Sequence, residues 1–549
     1  MTEFLPELEH LARARASAAE YYAPLLGSDS EIVRVGAWCA LLDREAVMPA
    51  QHEAVLKLCS YGAIQGRAFR FFESNWDHEL AAEAAAMLAS TEAEADDLAR
   101  KAELACDEEM AAEAERHRFL ATGRFDALSR LVEKSEQAGG WRAALAVAAD
   151  VLVLTPHEPV AADMLLRVLD NAHQTDTLAQ VIGRLKAAGL HPYLVLFYEA
   201  ALSLYSGDAR KCQQLLRQLD TTRPPRPDIV QRIRPRALRL NAEAFEMLGD
   251  FKASFSAFAE LKKSEQTGAP NDDYYRAIRY AAAQNIPPLP EDAKSNHVVM
   301  TGFPRSGTTL LENVLAAHPR IETYEEIPAV TSMQLLLDRE LSTASTDAEA
   351  VEICLRARER YYDEERRRHR KNGADIFIDK MPMRSSEAGL LIKLFPQKRY
   401  IFSIRHPFDV VLSCFKQRFS RNMAMQQFDT FEGTVRLYDF SMRQWFAVYG
   451  LDDPRVHYLR YDDLVTSFES SVRGVLDFLG ADWDPAVNDF AELADKRFAR
   501  TPSYQKVRRG LSIGVQSSWR NYGFVFGTAA AAPLKKWAEF FGYSTNPAA

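Results

Sequence analysis

The sequence of 549 residues has few cysteines and no long apolar run. Its six cysteines form no C-x-x-C pair, which favours reduced thiols over a disulfide framework or a zinc site. No window approaches the ~18 consecutive apolar residues of a membrane span, and residues 1–22 carry acidic side chains without the apolar segment of a secretory signal. These absences predict a cytoplasmic protein with no membrane span and no structural metal.

Positive charge is scarce in the first half of the chain. Residues 1–285 contain 32 Lys and Arg against 42 Asp and Glu, whereas residues 286–549 contain 35 against 34. An acidic segment repels polyanions, so we expect no nucleic-acid partner. The nearly neutral second segment can gather its basic side chains in one cleft.

Residues 1–285 are rich in Ala, Leu, Glu and Arg with apolar spacing near 3.6, which predicts consecutive amphipathic helices. Turn signals recur at Gly140, Gln174, Gly207 and Gly249, at intervals of 34, 33 and 42 residues. A period near 34 resembles the tetratricopeptide repeat and implies an α-helical solenoid whose concave surface binds a protein partner. A helical solenoid or bundle of another kind is the alternative, and the number of repeats stays open.

Prolines mark a boundary in "QNIPPLPEDAKSN", where residues 286–296 form a predicted linker. Beyond it, short apolar strands at residues 297–303, 375–380, 398–405 and 456–464 alternate with helical stretches. This alternation predicts an α/β domain with a mainly parallel sheet over residues 297–549. Ligands of such folds bind at the carboxyl ends of the strands.

The stretch "VVMTGFPRSGTTLLENVLAAH" has the strand–loop–helix pattern of a phosphate-binding loop, with Gly302 and Gly307 separated by four residues. We expect the backbone N–H groups of residues 306–309 and the positive end of the helix to bind an anion. An ATP-hydrolysing loop has lysine where Thr308 stands, whereas here the cation is Arg305. The loop is therefore suited to one terminal anionic group and not to a triphosphate.

The motif "PRSGTTLLENVLAAHP", followed by "YEE", resembles the 5′-phosphosulfate loop of sulfotransferases that use 3′-phosphoadenosine 5′-phosphosulfate (PAPS). The resemblance is greatest to the tyrosylprotein sulfotransferases and to bacterial proteins that join such a domain to tetratricopeptide repeats. It covers about residues 296–525. It implies an α + α/β protein with a P-loop-like sulfotransferase domain that moves the sulfuryl group of PAPS to a hydroxyl acceptor and requires no metal.

The resemblance also implies which residues bind the donor. In the family pattern, Arg405 and Ser413, eight residues apart, bind the 3′-phosphate that separates PAPS from ATP. Tyr461 matches the tyrosine beside the adenine, although a tyrosine at the end of a strand is as often a packing residue. The 5′-phosphosulfate would be bound by Arg305, Ser306, Gly307, Thr308 and Thr309.

Four residues match the catalytic pattern of the family. Glu326 matches the general base, with its neighbour Glu325 as the alternative. Lys380 matches the lysine that approaches the scissile bond, and Ser503 matches a late serine that hydrogen-bonds the sulfuryl group or the leaving oxygen. Arg305 would both bind the donor and stabilise the transition state.

The C-terminal segment departs from the family pattern. Tyrosylprotein sulfotransferases have lysine where Ser518 precedes Trp519, and here Arg520 follows instead. The stretch "VRRGLSIG", which contains Arg509, resembles a turn of the cytosolic sulfotransferases, so the arginine that contacts phosphate is undecided. The departure weakens tyrosine as the acceptor and leaves glycans and small molecules open.

Two other functions are alternatives to sulfuryl transfer. A nucleotide kinase with an altered loop would need magnesium and an acidic ligand such as Asp379. A non-catalytic repeat scaffold would need neither magnesium nor an acidic ligand.

The charged run at residues 358–373 has mixed charges at helical spacing, which predicts a solvated helix face.

Overall fold

The structure is a computed structural model that describes residues 8–14, 16–75, 77–105, 107–139, 141–266, 272–292, 294–419, 421–490 and 518–546. The chain divides into two compact units, Met1–Asp250 and Phe251–Ala549. Within the described ranges, no helix combines the length and the apolar character needed to cross a membrane.

The first unit is helical, and its described residues contain no strand. Short 3₁₀ turns lie at His10–Arg13, Ala23–Gly27 and Pro49–Gln51. Its α-helices are Ala18–Tyr22, Glu31–Leu42, His52–Lys57, Gly62–Ser74, His78–Ala86, Glu92–Ala105, Glu108–Thr122, Phe125–Gly139, Trp141–Leu154, Pro159–Asn171, Thr175–Ala187, Pro192–Tyr205, Ala209–Thr221 and Pro227–Met247. The prediction of consecutive helices is confirmed.

The predicted turns coincide with helix starts. Helices begin at Trp141 and Thr175, and a third begins at Ala209 after the cap Asp208. The Asp208 side chain accepts a hydrogen bond from the backbone N–H of Lys211, which satisfies one of the amides that a helix start leaves unpaired. Pairs of helices thus recur at the interval that the sequence predicted, while their assignment to the tetratricopeptide class stays a prediction.

The second unit is built on a five-stranded parallel sheet with strand order β2-β3-β1-β4-β5. The strands are β1 (His297–Thr301), β2 (Ile321–Glu325), β3 (Ile376–Lys380), β4 (Arg399–Ile404) and β5 (Val456–Arg460). The core of β1 and its neighbours packs against the helices Thr308–Ala317 and Phe468–Leu479. Because all strands run in one direction, their carboxyl ends share one edge of the sheet.

The second unit contains ten further α-helices among its described residues. They are Phe251–Glu265, Asp273–Ala283, Ala329–Glu340, Asp347–Arg366, Ala388–Leu394, Pro407–Lys416, Phe431–Phe446, Tyr461–Thr466, Gly523–Phe526 and Ala532–Phe540. Shorter 3₁₀ turns are Leu341–Thr343, Pro382–Glu387, Met425–Asp429, Pro485–Asp489, Ser518–Tyr522 and Ala529–Ala531.

Two helices that the sequence prediction placed with the repeats belong to the second unit. Phe255 packs against Phe415 and Phe431, with ring centroids 5.0 and 5.9 Å apart. The Nζ atom of Lys393 donates to the carbonyl oxygens of Ala282 at 2.6 Å and Gln284 at 2.9 Å. Aromatic burial and these backbone contacts join helices Phe251–Glu265 and Asp273–Ala283 to the second unit, whereas helical periodicity alone groups them with the repeats.

The charged run at residues 358–373 has the predicted solvated face, with Glu359, Arg360 and Arg366 exposed, and it also has a buried face. Its first half continues a helix to Arg366, but one face of that helix is buried. Arg358 is 4% exposed and donates to the carbonyl of Pro290, and Tyr361 and Glu365 are also buried. A face with this many charges is buried because its polar groups find partners that are distant in sequence.

Candidate functional site

The predicted site residues converge at the carboxyl ends of the strands. Gly302 follows β1, Arg405 follows β4 and Tyr461 follows β5. Lys380 is the last residue of β3, and Glu326 comes directly after β2. Parallel pairing therefore brings residues up to 159 positions apart to one edge of the sheet.

Residues 302–307, here called the anion loop, are held by close backbone contacts. A Cβ atom at Gly302 would lie 2.7 Å from the carbonyl oxygen of Ser403. The Ser385 hydroxyl donates to the Gly302 carbonyl at 2.6 Å, and the Cys414 thiol donates to the Pro304 carbonyl at 3.2 Å. The loop therefore has a defined shape before any ligand binds.

Arg305 links the two predicted anion positions. Its backbone has φ +72°, a left-handed conformation that costs a non-glycine residue roughly 1–3 kcal/mol and is concentrated at functional sites. Its Nε donates to the Ser413 hydroxyl at 3.0 Å, and Arg405 Nη1 donates to the Arg305 carbonyl at 3.3 Å. The loop cation, Arg405 and Ser413 thus form one cluster.

Ser306 and the helix that follows fit an anionic ligand. The helix Thr308–Ala317, here called the loop helix, begins after Gly307, and no side chain in the described structure caps it. The Ser306 hydroxyl is buried and has no hydrogen-bond partner among the described residues. A buried hydroxyl and an uncapped helix N-terminus are groups that an anion satisfies, so the residues present fit the phosphosulfate of PAPS.

Tyr461 forms a wall of the same cluster. Its ring lies against Gly307, since a Cβ atom there would be 2.4 Å from Tyr461 Cδ2. The Arg405 guanidinium lies 4.6 Å from the ring centroid, which is cation–π distance. The tyrosine thus contacts both predicted anion positions, and its proposed role beside adenine stays a prediction.

Lys380 lies at the other end of the site with its side chain fully buried. Its Nζ atom is 3.2 Å from a carboxylate oxygen of Glu312, 3.3 Å from one of Glu325 and 3.2 Å from one of Glu326. Burial by itself lowers the pKa of the ammonium, but the three carboxylates outweigh burial and raise the pKa above its ordinary value. Lys380 is therefore a charged group at physiological pH.

Glu325 and Glu326 both contact Lys380 but differ in exposure. The Glu325 side chain is 15% exposed and that of Glu326 is 40% exposed. Glu326 has φ +51°, and its N–H donates to the Lys380 carbonyl at 2.9 Å, which holds this left-handed turn at the end of β2. Of the two acids, Glu326 has the better access for an incoming substrate.

Asp379 points away from this cluster. It is fully buried, and its Oδ2 accepts from the Tyr361 hydroxyl at 2.7 Å and from Arg384 Nε at 3.3 Å. Arg384 in turn donates to Glu387 at 2.9 Å. Asp379 therefore supports the strand behind Lys380, which disfavours it as an exposed magnesium ligand.

The C-terminal segment docks beside Arg405. The Ser518 hydroxyl and the Trp519 N–H both donate to Asp409 Oδ1 at 3.1 Å, and the Trp519 ring stacks on His406 with centroids 4.9 Å apart. Arg520 is exposed. Ser503 and Arg509 lie outside the described residues, so their predicted roles remain predictions.

Two contributors to the site escaped sequence reasoning. Glu312 completes the carboxylates around Lys380, and Ser385 holds the anion loop. Glu312 carried one signal, because it follows Thr308 by four residues and so lies on the same face of the loop helix. Ser385 carried none, since a serine in a short turn has no distinctive context.

One segment of the chain is similar to known proteins. Residues 297–485 match the model described as Sulfotransferase family. An uncharacterized protein from Aquifex aeolicus (strain VF5) is 26% identical over 237 residues, which cover 41% of this chain and 30% of that protein. Protein-tyrosine sulfotransferase 1 from Danio rerio is 26% identical over 223 residues, which cover 39% of this chain and 60% of that protein. The chain thus spans less than two thirds of the length of either relative.

A solved structure is also similar. The sulfotransferase domain from the Synechococcus PCC 7002 olefin synthase is 21% identical, with a TM-score of 0.34, and the alignment covers 47% of this chain and 98% of that domain. The segment that matches the family model contains all five strands, the anion loop, Arg405, Tyr461 and Lys380. The similarity to the sulfotransferase family therefore lies over residues 297–485 of this chain.

Proposed function

We propose that the protein transfers the sulfuryl group of PAPS to a hydroxyl acceptor. The observation that carries the proposal is the 3.0 Å contact between Arg305 and Ser413, because it joins the loop cation to the second predicted anion position. A donor with phosphate groups at both ends of an adenosine requires two adjacent anion positions. A triphosphate would require a lysine that this loop lacks.

The donor would be held by the residues of the anion loop and of the strand ends. Ser306 and the N-terminus of the loop helix would bind the phosphosulfate, and Arg405 with Ser413 would bind the 3′-phosphate. When bound, PAPS supplies the sulfuryl group and leaves as adenosine 3′,5′-bisphosphate.

Residues of the chain would accept the proton of the acceptor and stabilise the negative charge that develops around sulfur. Glu326 would accept the proton of the acceptor hydroxyl, which makes the oxygen a better nucleophile. Lys380 and Arg305 would stabilise negative charge on the oxygens around sulfur, and Ser503 would donate a hydrogen bond there. No proton needs to leave Lys380 in this scheme.

The acceptor proposed first is a tyrosine of a protein. The helices of residues 1–250, the part of the predicted repeat region 1–285 that forms the first unit, are proposed as a tetratricopeptide-like domain that would bind a peptide on its concave surface. The match to protein-tyrosine sulfotransferase 1 supports this class of acceptor. Ser518, which replaces the expected lysine before Trp519, keeps glycans and small hydroxylated molecules as the alternative acceptors.

Calorimetry with adenosine 3′,5′-bisphosphate and with ADP, both without magnesium, tests the donor. We expect the bisphosphate to bind more tightly than ADP, because only the bisphosphate fills both anion positions. Arg405→Ala removes one of the charged contacts, so it should weaken bisphosphate binding by about tenfold or more while changing ADP binding little.

Arg443→Ala is the matched control. Arg443 is an exposed arginine of the same unit that pairs with Asp439, and its loss should leave both affinities unchanged. Equal or preferential binding of ADP by the unaltered protein would contradict the proposal and favour the nucleotide kinase. Binding of neither nucleotide would favour a scaffold without catalysis.

A further inference from the structure

Glu312 is a buried carboxylate that has no role in the chemistry proposed above. It lies on the loop helix, and its side chain is 4% exposed. Its carboxylate contacts the ammonium of Lys380 at 3.2 Å. The loop helix therefore begins at the anion loop and also bears Glu312, the acid that contacts Lys380.

Lys380 has as many N–H groups as it has carboxylate neighbours. An ammonium carries three N–H donors. Oxygens of Glu312, Glu325 and Glu326 surround Nζ at 3.2, 3.3 and 3.2 Å. Two of the donors bond to Glu325 and Glu326, and Glu312 is an ion-pair neighbour. Glu326 must therefore leave before the N–H that it accepts can donate to a ligand oxygen.

The exposure of the three side chains decides which carboxylate moves. Glu312 is 4% exposed and Glu325 is 15% exposed, whereas Glu326 is 40% exposed. Glu312 lies in the buried loop helix, and Glu325 is paired with Lys380 in the sheet register. Glu326 lies just beyond β2, so it is the acid that can leave Lys380 and contact a substrate.

We propose that Glu312 is a positioning residue for the transfer, an inference that rests on the proposed function. When Glu326 leaves Lys380 to accept the proton of the acceptor hydroxyl, Glu312 and Glu325 keep the ammonium charged and oriented. The N–H that Glu326 releases then donates to the oxygen that departs from sulfur. Movement of the Glu326 carboxylate thus frees the base for the acceptor proton and frees one N–H of Lys380 for the departing oxygen.

A role in stability alone predicts a different outcome. Loss of the Glu312 charge leaves Lys380 with two carboxylates, so the ammonium keeps ion pairs and the protein keeps its fold. In that case the turnover and its pH profile would not change. A positioning role predicts that they do.

Glu312→Gln tests the inference, because glutamine keeps the size and removes the charge. PAPS turnover with phenol as acceptor would be measured across pH, together with the calorimetric affinity for adenosine 3′,5′-bisphosphate. We expect kcat to fall about tenfold or more, with bisphosphate affinity unchanged. We also expect the alkaline limb of the kcat profile to move to lower pH, because Lys380 loses a neighbour that raises its pKa.

Glu364→Gln is the matched control. Glu364 is likewise buried and pairs with Arg368, away from Lys380, so its replacement should leave kcat, its pH profile and the affinity unchanged. Unchanged kcat and an unmoved pH profile in Glu312→Gln would overturn this inference and leave the proposed function standing. An unaltered protein that binds no bisphosphate would overturn the proposed function and this inference with it.

A second measurement tests the contact between Glu312 and Lys380 on which the inference depends. Lys380→Met leaves three carboxylates without their cation, so it should lower the thermal unfolding temperature. Adding Glu312→Gln should restore part of that loss, because it removes one of the repelling charges. Additive effects of the two substitutions would overturn the inference.

Discussion

The ring of Tyr461 lies so close to Gly307 that no side chain fits between them. A Cβ atom on Gly307 would be 2.4 Å from Tyr461 Cδ2, and the glycine has φ +100°. The contact joins the end of β5 to the start of the loop helix. It therefore fixes the distance between the anion loop and the residue proposed to lie beside adenine.

Gly307→Ala should damage the site and the fold together. The left-handed backbone and the clash with Tyr461 should lower the free energy of unfolding by about 1–3 kcal/mol and weaken bisphosphate binding. Urea unfolding and calorimetry measure the two effects.

Gly480→Ala separates the two causes. Gly480 also has a left-handed φ, +77°, but a Cβ atom there would meet nothing within 4 Å. This variant should lose stability through backbone strain alone and bind the bisphosphate normally. Normal binding by Gly307→Ala as well would contradict the proposed arrangement of the loop and Tyr461.

Sequence patterns predicted the strands that are runs of apolar residues, but they did not predict β2. In β2 the apolar residues are interrupted by Glu322, which is typical of a loop. The structure buries Glu322, whose carboxylate accepts hydrogen bonds from the backbone N–H groups of Arg370 at 2.7 Å and Lys371 at 3.2 Å. Partners 48 and 49 residues away in the sequence make this burial possible, and local patterns contain no trace of them.

The same reasoning explains which site residues were found. Arg305 follows β1 closely and Arg405 directly follows β4, so the motif and the predicted parallel topology are enough to place the two arginines together. Glu312 looks like an ordinary polar residue of an amphipathic helix. Its burial depends on Lys380, a contact that only the pairing of β1 with β3 creates.

Substitution of each acid in turn should distinguish the base from its neighbour. Glu326→Gln should lower the rate of PAPS turnover with phenol by about 100-fold or more, because proton removal is lost. Glu325→Gln keeps the base and should have the smaller effect. Both variants should bind adenosine 3′,5′-bisphosphate as the unaltered protein does, since neither acid lies in the anion loop. A greater loss in Glu325→Gln would assign the base to Glu325.

Acid should destabilise the second unit through His406. Its Nε2 donates to the Ser544 carbonyl at 2.9 Å, and its Nδ1 accepts from the Phe408 N–H at 3.2 Å, so protonation of Nδ1 breaks the second bond. Burial lowers the pKa of His406 below its ordinary value near 6.5, with Arg520 lowering it further, while the Ser544 carbonyl, Asp409 and Asp462 oppose the shift.

The sign of the pH effect follows from this lowered pKa. As pH falls below about 6.5, the unfolded chain binds a proton at this histidine before the folded protein does, so the free energy of unfolding decreases until pH passes the folded pKa. His406→Asn keeps an acceptor for the Phe408 N–H and cannot titrate. Urea unfolding at pH 7 and pH 5 should therefore show a smaller decrease in His406→Asn, and an equal decrease would contradict the prediction.

A mostly buried ion pair should contribute to the stability of the first unit. Arg236 Nη1 lies 3.0 Å from Asp163 Oδ1, the same oxygen accepts from the Tyr198 hydroxyl at 2.7 Å, and the Asp163 side chain is 3% exposed. Asp163→Ala leaves the Arg236 guanidinium, whose side chain is 18% exposed, with one partner fewer, which should lower the free energy of unfolding by about 3–5 kcal/mol. Glu53→Ala is the control, because Glu53 pairs with Lys57 on the surface, where water screens the charges, and its loss should change little. Circular dichroism in urea measures both variants, and equal effects would mean that the Asp170 carboxylate, 3.3 Å from Arg236, suffices to hold the buried charge.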